Sequence, residues 1–268
     1  VTTTGAPAND LTTDLELALA LADTADQITL ERAGAADLRV DRKPDRTPVT
    51  DADLAVEDAI RTVLRTHRPQ DSVIGEERGG AVTDADRRWL LDPIDGTKNF
   101  LRGVPVWATL IALVERGRPV VGVISAPALR RRWWAAIGVG AHTTDAHGVT
   151  RTITVSAVSE LADAYLSTTH LGSWVEHRSR ESYLSLVDAT WENRAFGDFW
   201  QHCLVAEGAI DLAAEPVVSP WDVAAAQVLV EQAGGRFTDL GGVARYDSGT
   251  ALSSNGLLHD AALTLLQQ

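Results

Sequence analysis

The stretch Trp89-Leu90-Leu91-Asp92-Pro93-Ile94-Asp95-Gly96-Thr97-Lys98-Asn99-Phe100 decides how the rest of this chain is read. Its front half is an apolar run of the kind that buries itself as a strand. Asp92-Pro93 is expected to end that strand, because proline lacks a donor and restricts the residue before it. Asp95-Gly96-Thr97 can then open a short helix whose free N–H groups face outward. Two hard carboxylates beside a helix start make a place where divalent cations and a phosphate can meet. A single aspartate there would be a helix cap. The whole string, with acidic partners elsewhere, points to a metal-assisted site.

Those partners also sit at the ends of apolar runs. Ser72-Val73-Ile74-Gly75 reads as a strand running into Glu76-Glu77, and Asp222 follows Trp221 at the start of a helix. Ligands in α/β layers gather where strands end and helices begin. Oxygen donors without a His or Cys cluster favour Mg2+ or Mn2+ over zinc. Taken singly, Glu76 is equally well a solvated loop acid and Asp222 a helix cap. Asp53, three residues after Thr50, would complete a capping box.

Outward from this centre, residues 14–36 read as an amphipathic helix, with Thr13 and Glu16 in the form of a capping box. Residues 38–49 are extended and polar, a hairpin or mobile loop, and Thr50 caps a second helix over 51–67. From Trp107 the texture turns to β, with strands over 108–115, 120–125 and 132–136 forming an antiparallel meander. Residues 138–150 are the expected seam, dividing a 1–10 disordered tail and an 11–145 half from a 146–268 half. That second half alternates strands (164–168, 210–214, 251–253) with helices (178–188, 199–207, 222–233, 259–266), an α/β pattern.

The 268 residues are 45% hydrophobic and carry a formal net charge of -13, which suits a large core and argues against general nucleic-acid binding. No apolar run reaches the roughly 20 residues of a membrane span. Cys203 is the single cysteine, which excludes an internal disulfide and fits a reducing cytoplasm. Arg130-Arg131-Arg132, between strands of an acidic protein, reads as a solvated turn or rim patch. The seven histidines are scattered and none is assigned to catalysis.

Gly75-Glu76-Glu77, then Asp92-Pro93-Ile94-Asp95-Gly96-Thr97, then Trp221-Asp222-Val223-Ala224-Ala225-Ala226 with Gly234-Gly235 resemble the inositol monophosphatase superfamily, in that order and over nearly the whole chain. The resemblance implies a mixed α-β fold, a five-layer α-β-α-β-α sandwich, active as a homodimer. It implies that Glu76, Asp92, the Ile94 carbonyl, Asp95 and Asp222 hold two or three Mg2+ ions, with Mn2+ as a substitute. Gly96 and Thr97 would bind the phosphate, and Thr97, paired with Asp53, would orient and deprotonate the attacking water with the help of Glu76.

Within that superfamily, Val104-Pro105-Val106-Trp107, Arg131-Arg132-Trp133-Trp134, Ala195-Phe196-Gly197-Asp198-Phe199 and Ala213-Ala214-Glu215-Pro216 look closest to bacterial histidinol-phosphate phosphatases. Asp198 and Glu215 add carboxylates that would favour a cationic substrate over a neutral polyol. Trp107 would offer a ring face to an imidazole or ammonium, or else serve as a core tryptophan. The implied activity is hydrolysis of a small phosphate monoester, histidinol phosphate, in histidine synthesis. An inositol-1-phosphate phosphatase and a non-catalytic regulatory protein keeping the fold stay open as alternatives.

Overall fold

The computed structural model describes residues 11–44, 47–80 and 86–268; the expected 1–10 tail lies outside them. The first helix, α1 (Leu11–Arg32), already includes Thr13 in its first turn, so the Thr13/Glu16 capping box does not form. It ends before Gly34, whose φ of 74° only glycine adopts without strain, and therefore short of residue 36. The following stretch folds back as an antiparallel hairpin of β1 (Val40–Arg42) and β2 (Pro48–Thr50), with positions 45–46 outside the described residues. The second helix, α2 (Asp51–His67), starts as expected. Thr50 Oγ1 accepts from Ala52 N at 3.1 Å, and the Asp53 carboxylate accepts from Thr50 N at 2.8 Å.

Seven strands then form one sheet in sequential order: β3 (Ser72–Gly75), β4 (Arg87–Asp95), β5 (Ala108–Glu115), β6 (Arg118–Ala126), β7 (Arg131–Ala136), β8 (Gly140–Thr144) and β9 (Thr150–Thr152). β3 pairs parallel to β4, and every later pair is antiparallel. Side chains alternate faces along a strand. Trp89, Leu91, Ile111, Leu113, Val121 and Val123 therefore pack under α1 and α2, while Leu90, Leu110, Ala112, Val114 and Ile124 face the other way. Two expectations change here. Residues 138–150 are not a seam: they carry β8 and the turn into β9, so the first sheet continues to Thr152. Nor are Arg131 and Arg132, two of the three consecutive arginines, solvated as the turn reading had them. Arg131 pairs with Glu207 and lies 4.7 Å over the Trp133 ring, and Arg132 pairs with Asp26 at 2.6 Å and Asp23 at 2.8 Å. Of the three, Arg130 alone is exposed.

After the short α3 (Thr97–Arg102), the second half supplies α4 (Leu171–His177), α5 (Arg180–Ala189), α6 (Asp198–Ala206), α7 (Pro220–Gln232) and α8 (His259–Leu266). Its sheet takes β10 (Tyr165–Ser167), β11 (Glu192–Arg194), β12 (Leu212–Glu215), β13 (Arg236–Thr238) and β14 (Ala251–Ser254) in the order β11-β10-β12-β14-β13. The short β11, β13 and α4 are absent from the sequence reading, since three to seven residues carry too little periodicity to register. α6 and α7 lie between the two sheets. α7 is apolar nearly all round, with Val223 to Val230 buried, as a helix covered on both faces must be. The outer face of the second sheet packs Leu166, Leu212 and Leu252 against Trp174, Tyr183, Leu186 and Leu263 of α4, α5 and α8. The stack is α1/α2, sheet, α6/α7, sheet, α4/α5/α8: the five layers expected.

Candidate active site

The opening string is built differently from its sequence reading, and the difference shapes the site. Pro93 does not end β4. The strand continues to Asp95 through a bulge, Asp92 pairing with Leu110 and Asp95 with Ala108. A proline tolerates a strand where a bulge removes the need for its missing donor. Thr109 Oγ1 donates to the Pro93 carbonyl at 2.7 Å and Ile94 N donates to Asp92 Oδ1 at 3.1 Å, which pins the bulge. Gly96 then turns the chain with φ 84°, a position where an added Cβ would lie 3.0 Å from the Val106 carbonyl, and α3 begins at Thr97.

Around this bulge lies a cleft of about 510 Å³ walled by Glu76, Gly96, Thr97, Asn99, Thr169, His170, Ser173 and Asp198, among others. A smaller recess of about 120 Å³ shares Thr169, Ser173 and Asp198 with it and reaches Asp95, His202, Glu215 and Asp222. Carboxylates from both halves of the chain thus meet across one opening. Asp92 lies behind this opening, only 2% exposed and next to Glu76, Asp95 and Asp222. Burial pushes its proton affinity well up, and the neighbouring charges of Glu76, Asp95 and Asp222 push it further. Asp95 is raised well above the usual carboxylate range by burial and then by Asp198 and Asp222, although Phe199 N donates to its Oδ2 at 2.6 Å. Burial also raises Asp222 and Glu215, each to about 7, and lifts Asp198. Asp222 accepts from Ser219 N at 2.8 Å, so it caps α7 as well as facing its acidic neighbours.

Among the described residues, no group of three or more His, Cys, Asp or Glu side chains stands at cation-holding spacing. Glu76 is instead turned toward Lys43 of the β1–β2 hairpin, whose ammonium lies 2.6 Å from Glu76 and 2.7 Å from Glu77. Burial pulls Lys43 down, but the hydrogen bonds to both glutamates outweigh it and hold its pKa above the ordinary value. Asp53, fully buried, keeps Oδ2 on Thr50 while its Oδ1 has no partner, and burial raises it to about 6. The donor set fits a hard divalent cation. All the donors are oxygen, each carboxylate raises its neighbours' proton affinity, and one buried oxygen is orphaned, conditions that bound positive charge relieves.

Two expectations fail at this level. Thr97 does not hydrogen-bond Asp53; its Oγ1 donates to the Ile94 carbonyl at 3.1 Å. Trp107 is not at the cleft. It is 3% exposed, stacked edge-on against Phe100 at 5.1 Å in a small cluster with Ala52 and Ile94, so its ring reaches no substrate. Glu215 and Asp198 do line the recess. Glu215 Oε1 is already held by Thr169 N at 2.7 Å, Thr169 Oγ1 at 2.6 Å and the Gln201 amide. Asp198 adopts φ 46°, unusual for a residue with a side chain, and Asn99 Nδ2 lies 3.4 Å from its Oδ2.

Asn99, Thr169, His170 and Ser173 belong to these walls, and Lys43 reaches Glu76 from the hairpin, without having been singled out in the sequence. Thr169 and His170 were within reach. They lie two and three residues past the end of β10, and the strand-end rule that marked Glu76 applies equally to them.

Residues 10–268 match the model of the inositol monophosphatase family. The chain belongs to that family. Among its relatives is a histidinol-phosphatase of Mycobacterium tuberculosis, 57% identical over 94% of this chain and 97% of that protein. Another, from Streptomyces coelicolor, is 51% identical over 97% of this chain and 98% of its own length. An inositol monophosphatase structure from Zymomonas mobilis superposes with a TM-score of 0.85 at 32% identity, covering 97% of this chain and all of that one (100%). Family members are generally metal-dependent, in keeping with the oxygen-donor set described above. Among the described residues, no helix is long and apolar enough to cross a membrane.

Proposed function

We propose that this chain hydrolyses histidinol phosphate to histidinol and phosphate, with Mg2+ as the working cation and Mn2+ as a substitute. The observation that carries the reading is the acidic recess. Asp198 and Glu215 stand beside Asp95 and Asp222 in one opening, on a chain 57% identical to a histidinol-phosphatase. A substrate bearing an ammonium and an imidazole gains charge-assisted hydrogen bonds there that a neutral polyol cannot make. Glu76, Asp92, Asp95, Asp222 and the Ile94 carbonyl would hold two or three cations. Bound there, the cations supply Lewis-acid polarisation of the phosphate and a lower pKa for water.

The chain's own groups do the rest. Gly96 and Thr97 present the start of α3 to the phosphate. Thr97 Oγ1, which donates to the Ile94 carbonyl, would orient the attacking water through its free lone pair, and Asp53, with its buried and unpartnered Oδ1, would be the carboxylate base that receives the proton. Asp53 ionises near pH 6 and is a base at neutral pH. We take the active unit to be a cytoplasmic homodimer, with most cation ligands in the half that runs to the end of β9 and with Asp222 and the recognition residues in the half after it. The test is kcat/KM for histidinol phosphate against inositol 1-phosphate on the purified protein. A preference of about 100-fold, or about 3 kcal/mol, is expected. Equal or reversed values overturn the substrate and leave the phosphatase chemistry standing.

A further inference from the structure

Glu57 is fully buried on α2, one helical turn beyond Asp53 and on the same face, yet it does not line the cleft or its recess. Its carboxylate is spent on the loop after β3. Oε2 accepts from Glu77 N at 2.8 Å, Oε1 accepts from Arg78 N at 3.2 Å, and Arg61 Nε, one turn further along the helix, donates to Oε1 at 2.8 Å. Arg61 continues the clamp, donating Nη1 to the Val73 carbonyl at 3.2 Å and Nη2 to the Gly79 carbonyl. The loop itself closes by Gly75 N donating to the Gly79 carbonyl at 3.0 Å, while Glu76 N donates to Leu91 O at 3.1 Å on β4, next to Asp92. The peptide carrying Glu76 is therefore held from both sides: by β4 before it and by the Glu57 carboxylate after it.

Gly75 bears on the same contact. A Cβ there would collide with the Glu57 carboxylate, and all three of the nearest atoms belong to that one group. Gly75 is not in the left-handed region, so the need for glycine comes from the room the carboxylate takes and not from backbone strain.

We propose that Glu57 is a positioning residue for the cation site. It fixes, through the amides of Glu77 and Arg78, the direction in which Glu76 faces the Asp92–Asp95 bulge. A carboxylate placed by two charge-assisted hydrogen bonds to backbone is a stiff support, and partners one step removed from a cation typically change its affinity 10–100-fold when lost. The proposal rests on Glu76 being a cation ligand, and is independent of which phosphate ester is hydrolysed.

The test is Mn2+ binding to the chelator-treated protein, followed by calorimetry and by the Mn2+ paramagnetic resonance signal. Glu57→Gln keeps the size of the side chain but sets an amide NH2 against a backbone N–H. Gly75→Ala leaves every charge in place and displaces the Glu57 carboxylate. Both are expected to weaken Mn2+ binding about 10–100-fold, and the double variant to be little worse than either single one, because both break one contact. Asp14→Asn loosens the buried pairs of Asp14 with Arg68 and Arg87, both 2.8 Å, far along the chain from the turn. It should lower the unfolding midpoint with Mn2+ affinity within twofold of the parent. The proposal is overturned if Glu57→Gln or Gly75→Ala binds Mn2+ as tightly as the parent, or if Asp14→Asn weakens binding equally. A parent chain that binds no Mn2+ removes the cation reading itself and this proposal with it.

Discussion

Asp198 shows how a single residue carries two demands at once. Its φ of 46° and the preceding Gly197 at φ 76° swing the chain into α6 so that the carboxylate faces the recess while Phe199 N reaches Asp95. Aspartate and asparagine tolerate this left-handed conformation better than most residues. Asp198→Asn therefore keeps the turn and removes only the charge. KM for histidinol phosphate is expected to rise about tenfold, the size of one charge-assisted hydrogen bond made neutral, with KM for a small uncharged-alcohol phosphate little changed. Steady-state kinetics on both esters checks this, and a parallel rise in both would deny Asp198 a role in recognition. The sequence marked Asp198 by resemblance but held nothing about its backbone angle. For Trp107 the sequence left a stacking face and a core position both open, and packing against Phe100 decided for the core.

Among the elements, α7 carries the most. It fills the space between the two sheets and brings Asp222 to the cleft, so its distance from the first sheet matters. Gly122 on β6 sets that distance. An added Cβ would lie 2.7 Å from the Ala225 carbonyl, 2.9 Å from Ala225 Cα and 2.6 Å from Val228 Cγ1. Backbone cannot rotate away as a side chain can, so the helix must move. Gly122→Ala is expected to cost about 1–3 kcal/mol, measured by denaturant unfolding, and to shift the Asp222 end of α7. An unfolding midpoint equal to that of the parent would mean that the helix rides free of the sheet. The sequence marked the helix over 222–233 and the antiparallel meander that begins after Trp107. The β4 bulge was not legible, because a proline in a strand-like run reads as a stop unless the neighbouring strand is known.

For the whole molecule, buried ionisable groups set opposing responses to pH. Burial lowers His259 to about 4 from its ordinary 6.5, with its ring nitrogens on Thr238 Oγ1 at 2.8 Å and Ser254 Oγ at 2.7 Å. As pH falls through 6.5 the unfolded chain takes up a proton that the folded chain refuses until about 4. The stability from this group is thus complete above 6.5 and lost across that window. His202 behaves in the same way. The raised carboxylates Asp53, Asp222 and Glu215 work in the other direction, stabilising at low pH and losing that contribution as pH rises through about 6 to 7. A single variant separates the two. The stability difference between the parent and His259→Gln should shrink by on the order of 2 kcal/mol between pH 7.5 and pH 4.5, read from denaturant unfolding at each pH. A difference independent of pH would mean that His259 is not held neutral.

By itself the sequence determined which groups were available: the acidic residues at strand and helix ends, the two helices before the meander, and the order of motifs that marks the family. These are local properties, written in spacing and residue type. The tertiary structure decided which groups meet. It joined Asp198 and Glu215 to Asp95 and Asp222 in one recess, put Lys43 on Glu76, turned Thr97 to the Ile94 carbonyl, and braced the Glu76 turn with Glu57 from a helix 20 residues earlier in the chain. Such meetings depend on how layers pack and how charge is desolvated between them, and neither is a function of neighbouring residues in the chain.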